Sequence, residues 1–566
     1  MAPYKITIND RNYSSFDIFE TINNTIVDLE HVAPIHNKLF SGDEFTIDND
    51  KNVKITSSII RSGTLIAGVL VISDNKTYGR KNKKLLYKCV PDDNSIPSFL
   101  IPYEIKHVGF SKIFVNLYVT FTFTDWDDKH PHGMLHQVFG PVDVIENFYE
   151  YQLQSKKLNA SIQKFQKATN LFIKNNSIDD IIHNMKQKYT SFENREDIHI
   201  FSIDPPKSVD FDDAFSVCEL VDGTTQISVY ISNVTVWLDM LDLWDSVSRR
   251  VSTIYLPDTK RPMLPSILSD CLCSLQAGVT RVALFMDIII DGDTITDIKF
   301  GNCFVKLFKN YCYEETSLLN DSKYMKILET TKQLSSKNKY CDIKDSHDVV
   351  CYLMILMNYH CAKKMIQHKI GIFRTAILKN EPDIPKTVPE DVSKHIKLFN
   401  SAKGQYISGN NIVNTKHEIL DIEAYIHITS PIRRLVDLLN MIQFQQITDI
   451  LYFKDKVYDF YIQWMRDLDY INVSMKSIRK VQNDCHLLDI CSNNPSIMKN
   501  EYIGYMFNKM TKSAGMYTYT VFLPELKMTS HVTTNEEFDN YQNRVFKLYL
   551  FNDEENLKKK IRLHLT

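Results

Sequence analysis

The amino-acid sequence predicts a multidomain α+β protein in which a large mixed domain is flanked by small β-barrel domains. Short β-rich runs, separated by Gly, Asn, Asp and Pro turns, extend to about Thr124 and return after about Lys499. Between them, strands such as RVALFMDIII alternate with long helical segments such as DSHDVVCYLMILMNYHCAKKMIQH, which is typical of an α+β domain. The chain has 566 residues, enough for about three to four units of roughly 150 residues each.

The N-terminal β-rich region predicts two compact barrels. Runs such as TLIAGVLVIS, KLLYKCV and FVNLYVTFTFT have the length and the β-branched and aromatic content of strands. We expect the first barrel at residues 1–58 and the second at residues 59–145.

Three further segments follow. The stretch ENFYEYQLQSKKLNASIQKFQKATNLFIKNN has a helical pattern rich in Lys, Gln and Asn, which predicts a helical connector at residues 146–194. The mixed α+β domain is expected at residues 195–495. Runs such as EYIGYMF, MYTYTVFLP and RVFKLYLF then predict a third small barrel at residues 496–566.

Composition restricts the function classes only weakly. The net charge of -3 excludes a uniformly basic surface, so any nucleic acid would have to be bound in a local basic channel. The eleven cysteines include no C-x-x-C pair, which favours reduced thiols over a zinc knuckle. No signal-peptide core follows the start, and the apolar runs are too short to span a bilayer. We therefore expect no membrane association and a reducing, cytoplasmic compartment.

The segment FSIDPPKSVDFDDAFSV is the strongest candidate for a functional site. It brings Asp204, Asp210, Asp212 and Asp213 together around a Pro-Pro turn at the end of an apolar run. Clustered like charges destabilise one another unless a cation neutralises them, and a hard dication with oxygen ligands is the natural partner. Mg²⁺ leaves room for a substrate phosphate, and one or two such ions suit phosphodiester cleavage.

Two plainer interpretations of this segment stay open at this point. It could be an acidic surface turn, or a calcium loop in which Asp210 and Asp212 imitate the D-x-D start of a helix-loop-helix site. The glycine and terminal glutamate of a calcium loop are absent, since Ala214 and Phe215 follow at once.

A second segment, AYIHITSPIRRLVDLLN, has the composition of a phosphate site. It joins the hydroxyl groups of Thr429 and Ser430 to the paired cations Arg433 and Arg434. The planar guanidinium can bind a phosphate through two hydrogen bonds and stabilise developing charge. Pro431 is tolerated at a helix start, so we expect backbone N–H groups to add to the anion site. The alternative is a capped helix with a solvated arginine pair.

Together the motifs resemble the catalytic domain of the ribonuclease II / ribonuclease R (RNB) superfamily. IDPPKSVDFDDA follows the family pattern I-D-P…D-x-D-D-A, IYLPDTKRPMLPSILSDCLCSL follows Y-L-P…P-M-L-P…L-S…C-S-L, and YIHITSPIRRLVD follows Y-x-H-x-T-S-P-I-R-R-x-x-D. The order and spacing also agree over residues 195–490. The flanks are similar to that family's cold-shock-like OB-fold domains, two before the catalytic domain and one after it. We expect no upstream endonuclease domain.

The resemblance implies a 3′-to-5′ exoribonuclease that hydrolyses single-stranded RNA to nucleoside 5′-monophosphates with a metal-activated water. It implies Mg²⁺, or alternatively Mn²⁺, as the cofactor, and a monomer with no obligate protein partner. The roles that it implies are metal ligands at Asp204, Asp210, Asp212 and Asp213, catalytic groups at Asp212, Asp213 and Arg433, and RNA-binding groups at Tyr255, Thr429, Ser430 and Arg434. Tyr255 would stack on a base near the 3′ end.

Several positions depart from the family pattern. Tyr230 and Asn233 stand where the family usually shows His and Asp, and Leu435 replaces the usual aromatic residue after the arginine pair. Cys351 and Tyr352 stand where relatives often have glutamates near the RNA sugar, so discrimination through the 2′-hydroxyl is expected to differ. The departures keep two alternatives open: a catalytically inactive RNA-binding regulator with the same fold, and a nuclease that acts on DNA.

Overall fold

A computed structural model describes residues 3–29, 31–105, 114–337, 342–375, 383–400, 404–411, 417–418, 420–512, 515–553 and 557–566. These residues form two compact units. The first contains Met1–Asn159, Leu256–Asp258 and Lys480–Thr566, and the second contains Ala160–Tyr255 and Thr259–Arg479.

The strands are β1 (Tyr4–Ile8), β2 (Phe16–Glu20), β3 (Thr25–Val27), β4 (Glu44–Ile47), β5 (Val53–Ser57), β6 (Ile66–Leu70), β7 (Arg80–Lys81), β8 (Lys84–Pro91), β9 (Phe99–Tyr103), β10 (Leu117–Asp125), β11 (His132–Pro141), β12 (Glu193–Arg195), β13 (Phe201–Asp204), β14 (Asp213–Glu219), β15 (Thr225–Ser232), β16 (Ile254–Tyr255), β17 (Lys260–Arg261), β18 (Thr280–Asp291), β19 (Thr294–Lys306), β20 (Lys309–Cys312), β21 (Ile372–Thr375), β22 (Gln405–Ser408), β23 (Tyr502–Thr511), β24 (Tyr517–Leu523), β25 (Met528–Thr534), β26 (Asn543–Asp553) and β27 (Lys558–Leu565).

The helices are α1 (Ile145–Ser155), α2 (Gln163–Asn175), α3 (Ile178–Lys188), α4 (Val234–Met240), α5 (Thr316–Leu319), α6 (Ser322–Lys337), α7 (Ser346–Gln367), α8 (Glu390–Asn400), α9 (Leu435–Ile447), α10 (Asp455–Arg466) and α11 (Leu468–Asn493).

The N-terminal sheet of the first unit has the order β3-β2-β1-β4-β5, and all of its strand pairs are antiparallel. Alternation along β1 buries Ile6 and Ile8 and exposes Lys5 and Thr7, which is the period-two pattern that the sequence shows. The guanidinium of Arg61 contacts the buried carboxylate of Asp43 at 2.6 Å. The buried carboxylate of Asp43, next to β4, is therefore paired with a cation.

The second sheet of this unit has the order β6-β10-β11-β9-β8-β7, and β6 also pairs with β8. The extra pairing closes five strands into a ring, as in an OB-fold. Gly68 lies where β6 meets β8, and a Cβ there would lie 2.8 Å from the carbonyl oxygen of Val90. Closure of the ring therefore needs a glycine at this position.

A helix and a third sheet complete the first unit. Helix α1 buries Phe148 and Tyr151, and the ring of Tyr151 stacks on that of Tyr118 with centroids 4.3 Å apart. The C-terminal sheet has the order β25-β24-β23-β26-β27, and its two edge strands β25 and β27 also lie beside each other. It too has the arrangement of a small five-stranded barrel.

The second unit is built on a seven-stranded sheet of order β12-β19-β18-β15-β14-β13-β20. The β12–β19 and β13–β20 pairs are parallel, and the others are antiparallel. Strands β15 and β18 are buried along most of their length, because helices or loops cover both faces of the sheet. Helix α7 packs against α6, α9 and β13 and is buried around most of its circumference. The site described below lies where α7, α9 and the ends of β13 and β14 meet.

None of the helices in the part of the chain that the structure describes is long and apolar enough to span a bilayer.

Candidate active site

A cavity of about 440 Å³ in the second unit contains every residue that the sequence places in the site. Its lining is formed by Asp204, Asp210, Asp212, Asp213, Tyr255, Thr429, Ser430, Arg433 and Arg434, together with Pro205, Ser208, Tyr313, Val350, Cys351, Met354, Ile355, Asn358, Tyr425 and His427. Four acids therefore share one concave volume with two arginines and several aromatic rings. This is the composition of a site for a charged ligand that also has flat apolar groups.

The acidic segment is a tight connection between two antiparallel strands. Asp204 is the last residue of β13, and Asp213 is the first residue of β14. Ser274, which is distant in sequence, holds the segment in place. The N–H of Phe211 donates to Ser274 Oγ at 3.0 Å, and Ser274 Oγ donates to the carbonyl of Val209 at 2.7 Å. Ser274 belongs to the C-S-L motif, so this motif supports the D-x-D-D turn.

Asp212 is tied to the second motif. Its Oδ1 accepts a hydrogen bond from the N–H of Ile432 at 2.9 Å, and its Oδ2 lies 3.2 Å from Nε of Arg433. Burial raises the pKa of Asp212 to about 7, although the Arg433 charge and the Ile432 N–H oppose this. The side chain of Arg433 is 43% exposed, and Nη2 donates to Ser430 Oγ at 2.9 Å. Its guanidinium is therefore oriented by the protein but still accessible from the cavity.

The neighbouring arginine has a different environment. Nη2 of Arg434 donates to Oδ1 of the fully buried Asp437 at 2.9 Å, and the same oxygen accepts from the N–H of Ser430 at 2.8 Å. Thr429 is buried, and Nδ2 of Asn358 donates to its hydroxyl at 3.4 Å. Arg434 and Thr429 thus line the cavity while they also hold the T-S-P turn in place.

One expectation about this turn was wrong. Pro431 does not begin the helix, because α9 starts at Leu435 with Arg434 as the preceding cap residue. The N–H of Ile432 is used by Asp212 and is not directed at an anion site. Residues 429–434 form a non-helical turn that brings Ile432 and Arg433 to Asp212, and the helix begins only after the arginine pair.

Asp210 is held by a hairpin of strands β16 and β17. Tyr255 and Lys260 are cross-strand partners. The hydroxyl of Tyr255 donates to Asp210 Oδ2 at 3.2 Å, and Nζ of Lys260 lies 3.0 Å from Oδ1. Burial and the Asp210 charge raise the pKa of Tyr255, so its hydroxyl stays protonated as a donor. The ring of Tyr255 is still 42% exposed, which leaves surface for stacking.

The remaining two carboxylates each have an unsatisfied oxygen. Oδ2 of Asp204 and Oδ2 of Asp213 are buried and have no hydrogen-bond partner. Burial, with the charge of Asp210, raises the pKa of Asp204 to about 7. Burial, with the charges of Asp204 and Asp212, raises the pKa of Asp213 well above its ordinary value. Unpaired buried acids are costly unless a cation or a proton neutralises them, so these two oxygens fit a divalent cation.

The four carboxylates are not tightly clustered. Among the described residues, the group of three or more potential ligands with all ligand atoms within 4.8 Å of one another is Asp345, His347 and Asp348 at the start of α7. That group is explained by capping, since Asp345 accepts the N–H of Asp348. Mutual repulsion of the aspartates explains the wider spacing in the cavity.

Among the residues that sequence reasoning missed, Tyr313 and Asn358 line the cavity. Lys260 and Asp270 lie outside the lining, but Lys260 contacts both Asp270 and the lining residue Asp210. Asn358 on α7 accepts the N–H of Ile428 and donates to the hydroxyl of Tyr425 at 3.0 Å, so it orders the chain before Thr429. Lys260 lies inside the segment LPDTKRPML, which the family resemblance already included. A positive charge in that segment was the only feature of the sequence that could have indicated a role for Lys260.

Comparison with known proteins gives the family. Residues 192–340 match the RNB domain family. The match covers about a quarter of the chain, which therefore contains an RNB domain. Exoribonuclease 2 of Salmonella paratyphi B (strain ATCC BAA-1250 / SPB7) is 37% identical over 123 residues, which are 21% of this chain and 19% of that protein. The same match is found with Exoribonuclease 2 of Salmonella newport (strain SL254). The match spans about a fifth of the length of these RNB relatives.

Solved RNB structures are similar over most of the chain. The apo form of Mycoplasma genitalium RNase R has a TM-score of 0.73 at 17% identity and covers 99% of this chain and 100% of its own. Its complex with ribose-methylated single-stranded RNA gives 0.71 at 17% identity, with 99% and 100% covered. Yeast Ssd1, described as a pseudonuclease, gives 0.63 at 14% identity, with 94% and 78% covered. These likenesses concern the fold, and they confirm a multidomain α+β protein with OB-like domains around an RNB domain.

Two departures from the RNB pattern lie in a packed interior. Tyr230 is fully buried, and its hydroxyl bonds with Ser216 Oγ at 3.0 Å. Asn233 caps α4, and its Nδ2 donates to Asn302 and Gln445 at 2.8 Å each. These residues belong to hydrogen-bonded networks of the core and do not line the cavity.

The structure separates Cys351 from Tyr352. Cys351 lines the cavity. Tyr352 is fully buried in the hydrophobic core on the other side of α7 and is not part of the lining. Adjacent residues of a helix point about 100° apart, so only one of the two can face the cavity.

Proposed function

We propose that this chain is a 3′-to-5′ exoribonuclease that hydrolyses single-stranded RNA to nucleoside 5′-monophosphates. The observation that carries the proposal is the cavity in which two buried, unpartnered carboxylate oxygens face a half-exposed arginine. An RNA-binding regulator has no use for unpaired buried acids, whereas a hydrolase that binds metal and phosphate needs them. The division into domains at residues 1–58, 59–145, 146–194, 195–495 and 496–566 is part of the proposal.

Asp204 and Asp213 would hold the divalent cation, and Asp210 and Asp212 would complete the acidic wall around it. Mg²⁺ is the ion that we propose, with Mn²⁺ as the alternative, because all of the donors are carboxylate oxygens. Such an ion activates water and neutralises the charge that develops on a phosphate.

The side chains of the chain supply substrate positioning. Arg433 would bind the non-bridging oxygens of the scissile phosphate, since Asp212 and Ser430 already fix its guanidinium. The exposed ring of Tyr255 would stack on a base, while its hydroxyl stays on Asp210. A water oxygen would then attack the phosphorus and lose a proton, the bond to the 3′ oxygen of the preceding nucleotide would break, that oxygen would take up a proton, and a nucleoside 5′-monophosphate would leave.

The proposed partner is single-stranded RNA, bound by a chain that acts as a monomer. The structure of RNase R with ribose-methylated single-stranded RNA supports this substrate, because that protein has a similar fold over 99% of this chain. The described cysteines are free thiols, which supports a reducing, cytoplasmic location.

A second candidate is a catalytically inactive RNA-binding regulator. The similarity to Ssd1 favours it, since a pseudonuclease shares this fold. The fold is therefore compatible with both functions, and only the cavity distinguishes them.

The test is digestion of 5′-labelled single-stranded RNA in the presence of Mg²⁺, with DNA of the same sequence in parallel. The proposal expects a ladder that shortens from the 3′ end, nucleoside 5′-monophosphate as the product, little cleavage of DNA, and loss of cleavage in Asp212→Asn. Asp239→Asn is the matched control, because Asp239 is a mostly buried acid paired with Lys188 and lies outside the cavity lining. Internal cuts, or full activity of Asp212→Asn, would refute the proposal, and RNA binding without turnover would favour the regulator.

A further inference from the structure

Lys260 is a cation fixed between two acids at the edge of the cavity. Its Nζ lies 3.0 Å from Asp210 Oδ1 and 2.8 Å from Asp270 Oδ1. The side chain is 22% exposed, and those of Asp210 and Asp270 are 11% and 25% exposed. The Lys260 ammonium is therefore held from two sides by carboxylates.

The hairpin also fixes the direction from which this charge approaches. Lys260 and Tyr255 are cross-strand neighbours, and each donates to a different oxygen of Asp210. Both carboxylate oxygens of Asp210 are thus bound by residues of one hairpin. A carboxylate in this state has little capacity left for a cation that needs near-octahedral oxygen ligands.

The other side of the cluster is different. Asp204 and Asp213 each have a buried oxygen without a partner, and no lysine reaches them in the described structure. The four acids therefore divide into a pair whose carboxylates contact a cationic side chain, Asp210 and Asp212, and a pair that each keep one buried oxygen without a hydrogen-bond partner. Asp212 belongs to the first pair through Arg433 and the N–H of Ile432.

We propose that Lys260 is a positioning residue that takes the place of a divalent cation at Asp210, so that the cavity binds one divalent cation, on the Asp204 and Asp213 side. This inference rests on the proposed metal-dependent function. A lysine ammonium is a compact point charge that the protein supplies at every metal concentration, whereas Mg²⁺ must first lose water. Lys260 thus keeps the Asp210 side neutralised when metal is scarce.

The test is calorimetric titration of the full chain with Mg²⁺ alone, without RNA. The wild type is expected to bind one ion in the cavity. Lys260→Gln keeps a hydrogen-bond donor but removes the charge, so it should bind a second ion, while Lys260→Arg should bind one. Lys309→Met is the matched control, because Lys309 pairs with Glu315 away from the cavity and its removal should not change the ion count.

Thermal unfolding in EDTA gives an independent measurement. Lys260→Gln should unfold at a lower temperature than wild type in EDTA and recover more of the difference on addition of Mg²⁺ than Lys309→Met does. Two ions of similar affinity in the wild type would overturn the inference, and so would a single ion in a folded Lys260→Gln. If Lys260→Gln does not fold, the wild-type and Lys260→Arg ion counts decide alone.

Failure of this inference and failure of the proposed function give different results. RNA cleavage by the wild type together with an unchanged ion count in Lys260→Gln removes only the role of Lys260. One bound ion in the wild type and two in Lys260→Gln, without cleavage of any RNA, removes only the nuclease function.

Discussion

Two buried polar clusters lie on the seven-stranded sheet of the second unit, and they differ in how their charges are satisfied. In the Arg195 cluster, both terminal nitrogens of Arg195 contact Asp287, at 2.8 and 2.7 Å, and Nη2 also lies 2.7 Å from Glu193. Ser228 adds a hydrogen bond to Asp287 at 2.7 Å. The Asp204 and Asp213 carboxylates, in contrast, keep unpartnered oxygens.

The difference indicates different roles for the two clusters. A bidentate, fully bonded ion pair offsets the cost of burial and holds strands β12, β15 and β18 in register. Unpartnered acids carry that cost without compensation, and such sites persist where a ligand restores the balance. We therefore expect substitutions in the two clusters to act in opposite ways on activity and on stability.

The largest effect is expected for Asp213→Asn. If the proposed function holds, removal of this carboxylate should lower the rate of RNA hydrolysis by roughly a thousandfold or more, because a bound ion contributes several kcal/mol to the transition state. The same change removes a buried repulsive charge, so the protein in EDTA should unfold at a higher temperature than wild type. Single-turnover kinetics and thermal unfolding in EDTA measure the two effects. A loss of both activity and metal-free stability would show that Asp213 is a structural residue.

The opposite result is expected for Arg195→Met. Loss of the arginine leaves Asp287 buried and unpaired, so the free energy of unfolding should fall by about 3–5 kcal/mol. The rate of cleavage per folded molecule should not change, since Arg195 does not line the cavity. Urea denaturation and active-site titration provide the measurements.

A double variant controls for the origin of this loss. In Arg195→Met with Asp287→Leu, both charges are gone, so part of the lost stability should return. If the double variant were no more stable than Arg195→Met, the loss would come from packing around Arg195, which lies 3.6 Å from the ring of Phe285, and not from the charge.

The placement of the four aspartates and Arg433 in one site could be predicted because these residues belong to short contiguous motifs. Four acids within ten residues repel one another in any fold. The position of Arg433 depends mainly on the local turn T-S-P-I that precedes it. All of these residues line the cavity. The fold class, with β-rich flanks around a mixed α+β centre, could likewise be predicted from periodicity, since alternation of period two is present even in short strands.

The division of the acids into partnered and unpartnered pairs could not be predicted. It depends on contacts between residues far apart in the chain, such as Asp210 with Lys260 and Asp212 with Ile432. The phase of α7 was also undetermined, because a helix that is buried around most of its circumference shows no polar face. For that reason the sequence did not show that Cys351 faces the cavity and Tyr352 the core.

Arg433 and Arg434 bring the same comparison to adjacent residues. Arg433→Ala should lower the rate of cleavage by roughly a hundredfold, because the proposed phosphate-facing donor is lost. It also removes the partner of Asp212 Oδ2, so some loss of stability is expected, although the N–H of Ile432 still donates to Oδ1. Arg434→Met should mainly lower stability, since it leaves the buried Asp437 unpaired. Cleavage rates and urea denaturation of both variants separate the roles. Equal changes in activity and in stability for the two variants would mean that both arginines are structural.

The smallest effect is a dependence of metal stabilisation on pH. The pKa of Asp204 in the folded protein is raised to about 7, so between about pH 4 and 7 the unfolded chain loses a proton that the folded chain keeps. Ionisation of Asp204 therefore lowers the free energy of unfolding of the metal-free protein as the pH rises from about 4 to 7. Mg²⁺ favours the ionised form and should remove that loss, so the increase in unfolding temperature caused by Mg²⁺ should be larger at pH 8 than at pH 5.

Buried histidines change the pH dependence of stability in the opposite direction, so the experiment must separate their contribution from that of Asp204. Burial lowers the pKa values of His360 and His417 to about 4, so between about pH 4 and 6.5 these groups make the folded state more stable as the pH rises. Their contribution is the same with and without Mg²⁺, and it cancels in the difference between the two unfolding temperatures. Asp204→Asn should reduce the pH dependence of that difference, whereas the paired acid variant Asp287→Asn should leave it unchanged. An Mg²⁺ effect that is equal at pH 5 and pH 8 in the wild type would mean that Asp204 is not a metal-facing acid.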